Sequence, residues 1–416
     1  MLRLISSALG WRPWHEWSLG LDNGVVLPYY WDIPPPYPLA EGVSVETACV
    51  SSQHEERQGM AVLEVTGREA VDPIAAIELC YSQGWTDGLP VIPPTDERVA
   101  AFLGHLKRGR DEVLGGVPER RRFVTVEHVA ANAVMAGCLP EYASVVVAAV
   151  EAILQPAFNL VGPSASLGGS GILLIVNGPV VEQLQINCRN NLFGPGNRAN
   201  ATIGRAIRLV LMNTCGAIPG LFDRSCLGHP GKYSYCIGEN AQDSPWLPLH
   251  VERGCAAGTS AVTAFACEGP RQVRNGLSQT PEGVLTTIAD VMSSLGTSLT
   301  TSGSVASTAT GTRQGEIAIV MAGEHTQTIS RHGWSKSDVR RYLAEQARRT
   351  VADLKRGGGL AGEVAPGDEH NYIPVVERPD DIMIIAAGGE EGAMSAVIPS
   401  WGPKVSSTAV TWPVAS

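Results

Sequence analysis

The chain has 416 residues, a formal net charge of −10, and 17% charged against 44% hydrophobic residues. That balance is ordinary for a globular protein, and its sign argues against nucleic acid or an anionic membrane as a partner. The length exceeds what one core usually supports, so two folded units are expected behind an N-terminal arm, divided as 1–60, 61–270 and 271–416.

Residues 1–60 contain LPYYWDIPPPYPLAEG, proline-rich and without periodicity, and read as an extended arm. Met60 leaves open that the first 59 residues are a start-site extension. The opening MLRLISSALGWRPW is a poor signal peptide, and no apolar stretch reaches the roughly 20 residues of a membrane span. Nine cysteines without a CxxC pair point to reduced thiols in a cytoplasm.

A helical period begins at DPIAAIELCYSQGW, with Ile74, Ile77 and Leu79 on the apolar positions. The stiff loop GWTDGLPVIPP follows. It offers Trp85 as the wall of a binding site and Asp87 as acceptor or base, or else a plain turn in which Asp87 bonds its own backbone. A helix through Val99, Phe102 and Leu103 comes next, then two helices parted at Leu139-Pro140.

Three apolar runs end in glycine and read as buried strands: GILLIVNGP (171–179), GEIAIVMAGE (315–324) and DDIMIIAAGG (380–389). Between the last two, SKSDVRRYLAEQARRTVADLKRG predicts one helix, with Ser335 and Asp338 as a capping box and Gly357 closing it. Strand, helix and strand form a βαβ unit, and the fold class is α/β, multi-layered, with buried strands and flanking helices.

In NNLFGPGNRANATIGRAIRL, Asn197 and Asn200 are N-cap candidates. Arg198 and Arg205 stand near that helix start, where a substrate carboxylate or phosphate would be held; a capped helix with solvent-facing arginines is the alternative. No GxGxxG follows a strand, which argues against a nucleotide.

CLGHPGKYSYCIGEN with SPWLPLH gathers His229, Cys236, Glu239 and His250. Three readings stay open. His229, Cys236 and His250 hold a divalent metal, zinc or iron; or Cys236 is a nucleophile and His229 a base with Glu239 nearby; or the segment is a polar loop without chemistry. Glu324 and His325 fall just past a strand end, where α/β sheets gather ligands. Cys188 beside Arg189 is a candidate reactive thiol. The Ser/Thr/Gly-rich run 293–315 reads as a linker or as a polar loop lining the site.

Taken together, GWTDGLPVIPPTDERV, FGPGNRANATIGRAIRL, GHPGKYSYCIGEN and GEHTQTISRHGWSKSDVRRYL resemble a bacterial family related to UGSC-motif selenoproteins, often labelled thioredoxin-like. The resemblance spans residues 70–400 and implies one enzyme-like unit with thiol redox chemistry. This chain carries no Cys-Gly-Ser-Cys motif, so the residues of that chemistry are missing.

The expectation is a cytoplasmic, homo-oligomeric lyase or hydrolase acting on a compact anionic substrate. A thiol redox protein working through Cys188 or Cys236, and a non-catalytic binding or metal-binding subunit of a larger assembly, are the alternatives.

Overall fold

The computed structural model describes residues 72–295 and 315–415. The expected arm and most of the Ser/Thr/Gly-rich run lie outside the described residues.

Helix α1 (Pro73–Ser82) is capped by the Asp72 side chain, which accepts from the Ile74 N–H. Its apolar residues do not form a buried face: Ile74 and Leu79 are exposed, and Cys80 is the residue it buries. Helix α2 (Asp96–Leu103) buries Val99 and Phe102 as its period requires. A ribbon of β1 (Val113–Val117) and β2 (Arg122–Thr125) leads into α3 (Val126–Ala136), and α4 (Ala143–Ile153) follows beyond the expected break at Pro140. Both helices are almost wholly buried, which is why neither shows a polar stripe.

The strands β3 (Gly171–Asn177), β4 (Cys236–Gly238), β5 (Ala261–Cys267) and β6 (Arg271–Arg274) come next, with α5 (Arg198–Asn213) between β3 and β4. The second half holds α6 (Pro281–Met292), β7 (Ile317–Met321), α7 (Gly323–Arg331), α8 (Lys336–Gln346) and the ribbon β8 (Arg348–Thr350) with β9 (Tyr372–Pro374). It closes with β10 (Ile382–Ala386), β11 (Met394–Pro399) and β12 (Val410–Pro413).

The expected βαβ unit is present, with β7 and β10 parallel neighbours. The single helix expected over 335–357 is not. Its capping box forms as read, but the helix stops at Gln346, because Arg348–Thr350 pair with β9; Thr350 then caps a new turn, Val351–Arg356.

The two main sheets run β12-β5-β3-β4 and β10-β7-β11-β6. They share one plan: a parallel edge pair (β4 with β3, β10 with β7), then two antiparallel steps. Divided at 270, the second sheet is built wholly from the later part of the chain, while the first takes its last strand, β12, from that part. β6 follows β5 directly yet pairs with β11, and β12 follows β11 yet pairs with β5. At the crossing the Glu268 N–H donates to the Pro399 carbonyl (2.9 Å) and the Trp401 N–H to that of Ala266 (2.9 Å). The boundary expected at 270 falls on this crossing.

Strand alternation sorts the core into layers. Leu174 and Val176 of β3 face the cluster with α3, α4 and α5, while Leu173 and Ile175 face the other sheet. In β7, Ile317, Ile319 and Met321 face α6 to α8, and Ala318 and Val320 face inward. The result is a four-layer helix–sheet–sheet–helix sandwich. Among the described residues no helix is long and apolar enough to cross a membrane.

Candidate active site

Helix α5 begins at Arg198 under the Asn197 cap, whose side chain accepts from the Asn200 N–H at 3.0 Å. Asn200 is inside the helix, not at its cap. Its amide bonds the Asn187 N–H and the carbonyls of Asn187 and Cys236, so it ties the loop after β3 to β4. Arg198 is engaged by the fold: Nε and Nη2 both donate to the Gly137 carbonyl at the end of α3, at 3.1 and 3.0 Å.

Arg205 forms a two-pronged ion pair with Asp87 (2.8 and 2.7 Å) and also donates to the carbonyls of Leu89 and Pro90. Asp87 is therefore a clamp for its loop and no free base; its side chain is 3% exposed. Trp85 packs against the helical core, with its carbonyl held by Asn213.

The expected metal ligands do not fit one ion. Cys236 points into the helix-side core, where burial pushes its thiol far above the usual range. His229 packs edge-on against Tyr235, which belongs to the inter-sheet core on the opposite side. His250 is buried near the Thr259 carbonyl, and neither ring nitrogen makes a hydrogen bond of ordinary geometry. Among the described residues no three of His, Cys, Asp and Glu are grouped to hold a metal. A nucleophilic thiolate at Cys236 is opposed by the same burial, and burial also raises the Cys188 thiol despite Arg189 beside it.

Glu239 is a buried strut between the two sheets. It accepts from the Asn177 amide (2.5 Å) and the Leu249 N–H (2.7 Å), with Lys336 of α8 at 3.4 Å. Burial raises its pKa against the pull of Lys336 and those donors. Glu324 accepts from the N–H groups of Gly392 and Ala393 (3.0 and 2.8 Å). His325 is buried between Ser395 Oγ (2.7 Å) and the Asn275 carbonyl (3.1 Å). All three hold the fold together.

A second group of charged and hydroxyl side chains lies elsewhere, beside a shallow cleft of about 20 Å³ lined by Ser170, Gly171, Gly204, Arg208, Gly231 and Lys232. Helix α5 supplies Gly204, Ile207, Arg208 and Leu211 to it, one face at helical spacing. The start of β3 with the loop before it, and the loop before β4, supply the rest. They touch backbone to backbone: a Cβ at Gly169, whose φ is +69°, would lie 2.7 Å from Gly228 Cα. The Cys226 N–H donates to the Leu167 carbonyl (3.0 Å), which locks the approach.

Beside this cleft Lys232 Nζ donates to Ser225 Oγ at 2.6 Å, and the Ser225 hydroxyl donates to Asp223 Oδ1 at 2.5 Å. Asp223 also pairs with Lys232 (2.8 Å) and with Arg208 (3.1 Å). Burial pulls Asp223 upward, but the hydrogen bonds from Lys232 and Ser225 and the two positive charges outweigh it, and its pKa is lowered. Lys232 goes down too: burial, helped by Arg208, overcomes the attraction of Asp223. With Lys232 protonated this poorly solvated cluster carries one net positive charge; with Lys232 neutral, Arg208 is its remaining cation.

Of the residues singled out in the sequence, only His229 adjoins this cleft. Arg208, Asp223, Ser225 and Lys232 were not among the site residues expected. One signal was available, an arginine on the otherwise apolar face Gly204, Ile207, Leu211 of α5. No family model, curated protein or solved structure matches the chain.

Proposed function

We propose that the protein is a hydrolase of a small, anionic acyl compound, with Ser225 as nucleophile. The observation that carries this is the 2.6 Å contact between Lys232 Nζ and Ser225 Oγ at the edge of a cationic cleft. A serine hydroxyl is a weak nucleophile until a neighbouring base takes its proton. A lysine whose pKa is lowered by burial reaches the neutral form at lower pH, so it can serve.

In this reading Lys232 first loses its proton, the Ser225 hydroxyl swings from Asp223 to donate to neutral Nζ, and Lys232 takes that proton as Oγ bonds to the substrate carbonyl carbon. Lys232 then returns that proton to the leaving group as the old acyl bond breaks. Water releases the acyl group by the reverse relay. Asp223 orients both residues, and Arg208, which lines the cleft, attracts the substrate's negative charge. Eight unpaired cysteines among the described residues go with a cytoplasmic setting.

A small fluorophosphonate tests the reading. Its fluoride leaves as Ser225 Oγ bonds to phosphorus, and intact mass counts the adduct. One adduct on Ser225 is expected, absent in Ser225→Ala and formed about 100-fold or more slowly in Lys232→Ala. Acetate and inorganic phosphate should slow the labelling. No adduct on Ser225, or one indifferent to Lys232→Ala, overturns the assignment.

A further inference from the structure

Lys232 can act on Ser225 only if the short turn Pro230–Lys232 holds it there, and His229 is the residue that grips this turn. Its carbonyl accepts from the Lys232 N–H (2.9 Å), and its Nδ1 accepts from the Gly231 N–H (3.2 Å). Asparagine, aspartate or serine usually serves as such a cap. Here an imidazole does so, and its bulk is accommodated by glycines on three sides. A Cβ at Gly171 would stand 2.8 Å from both Cε1 and Nε2 of the ring; at Gly231 it would stand 2.7 Å from Cε1. At Gly269 it would come within 3.4 Å of Nδ1.

Tyr235 meets the same ring edge-on, with centroids 5.8 Å apart. Nε2 is buried and makes no hydrogen bond of ordinary geometry, the Cys267 carbonyl being in looser contact. Two of the glycines that make room for the ring, Gly171 and Gly231, are themselves cleft walls. The ring therefore wedges behind the wall that carries Lys232 and has no need to touch substrate.

We propose that His229 is the positioning residue of this site, fixing Lys232 against Ser225 through the Pro230–Lys232 turn. The inference rests on the hydrolase reading. It assigns His229 neither to a metal nor to proton transfer.

The rate of fluorophosphonate labelling at Ser225 is compared across five proteins: the parent, His229→Ala, His229→Asn, Gly171→Ala, and the double variant Gly171→Ala/His229→Ala. Circular dichroism confirms that each is folded. His229→Ala should label at least tenfold more slowly, with the midpoint of its pH profile moved up as Lys232 becomes better solvated. His229→Asn, which keeps a cap acceptor, should recover most of the rate. Gly171→Ala should slow labelling by pushing the ring aside. The double variant should be no slower than His229→Ala, because the methyl then enters the space the ring has left.

If His229→Ala does not fold, His229→Asn and Gly171→Ala decide. Labelling of His229→Ala within twofold of the parent, or losses that multiply in the double variant, overturns the role of His229 while the hydrolase reading stands. Failure of the parent itself to label at Ser225 overturns the reading first.

Discussion

Lys232 Nζ lies 2.6 Å from Ser225 Oγ, and one carboxylate, Asp223, binds both. A lysine held this way is a base only when it has lost its proton. Labelling of Ser225 should therefore rise with pH. Because burial lowers the Lys232 pKa from 10.5, the midpoint should fall below that value. A profile flat from pH 6 to 10 would remove Lys232 as the base.

Asp223→Asn should destabilise the fold by about 3–5 kcal/mol, since Arg208 and Lys232 would remain close together without a counter-charge. The folded pKa of Asp223 is below 3.8, so its contribution is fully present above that pH and is lost as pH falls through the folded value. Thermal unfolding should show a wide gap between parent and variant near neutrality, closing in strong acid.

Lys336→Met should behave in the opposite sense. Glu239 has a raised pKa in the fold, so what its protonated form contributes is present below 4.5 and is lost as pH rises through the folded value. Removing Lys336 raises that pKa further and leaves a buried, uncompensated carboxylate at high pH. The melting gap to the parent should widen from pH 5 to pH 8, reaching about 3–5 kcal/mol.

Iodoacetamide under native conditions should modify Cys226, which is exposed, and spare Cys236, Cys215 and Cys267. Peptide mass spectrometry reads the result directly. Rapid alkylation of Cys236 would restore it as a candidate nucleophile.

A fragment of residues 72–270 should not fold alone. It lacks β12, so β5 would be an open edge, and it loses the second sheet against which Leu173, Ile175 and Phe265 pack. Its circular dichroism and solubility, compared with the full chain, provide the check. A cooperative melt of the fragment would contradict this.

The elements were legible where local rules act alone. Apolar runs ending in glycine became β3, β7 and β10, and Ser335 and Asp338 formed the box their spacing implied. The break at Gln346 was not legible, because it depends on pairing with Tyr372–Pro374 some 25 residues on. The return of β12 to β5 was hidden for the same reason, since which edge a short strand joins is settled by partners distant in sequence.

The site divided along the same line. Composition and spacing by themselves determined an α/β chain, a capped helix at Asn197 and a chemically rich loop at 226–240. They could not tell Arg205, locked on Asp87, from Arg208 one turn further, which lines the cleft. Nor could they separate Cys236, buried in the helix-side core, from Lys232 four residues earlier. Residue type states what a side chain can do, but its partners and its burial decide what it does. Asp223, Ser225 and Lys232 share a short stretch of chain, yet Arg208 reaches them only because α5 packs beside that loop.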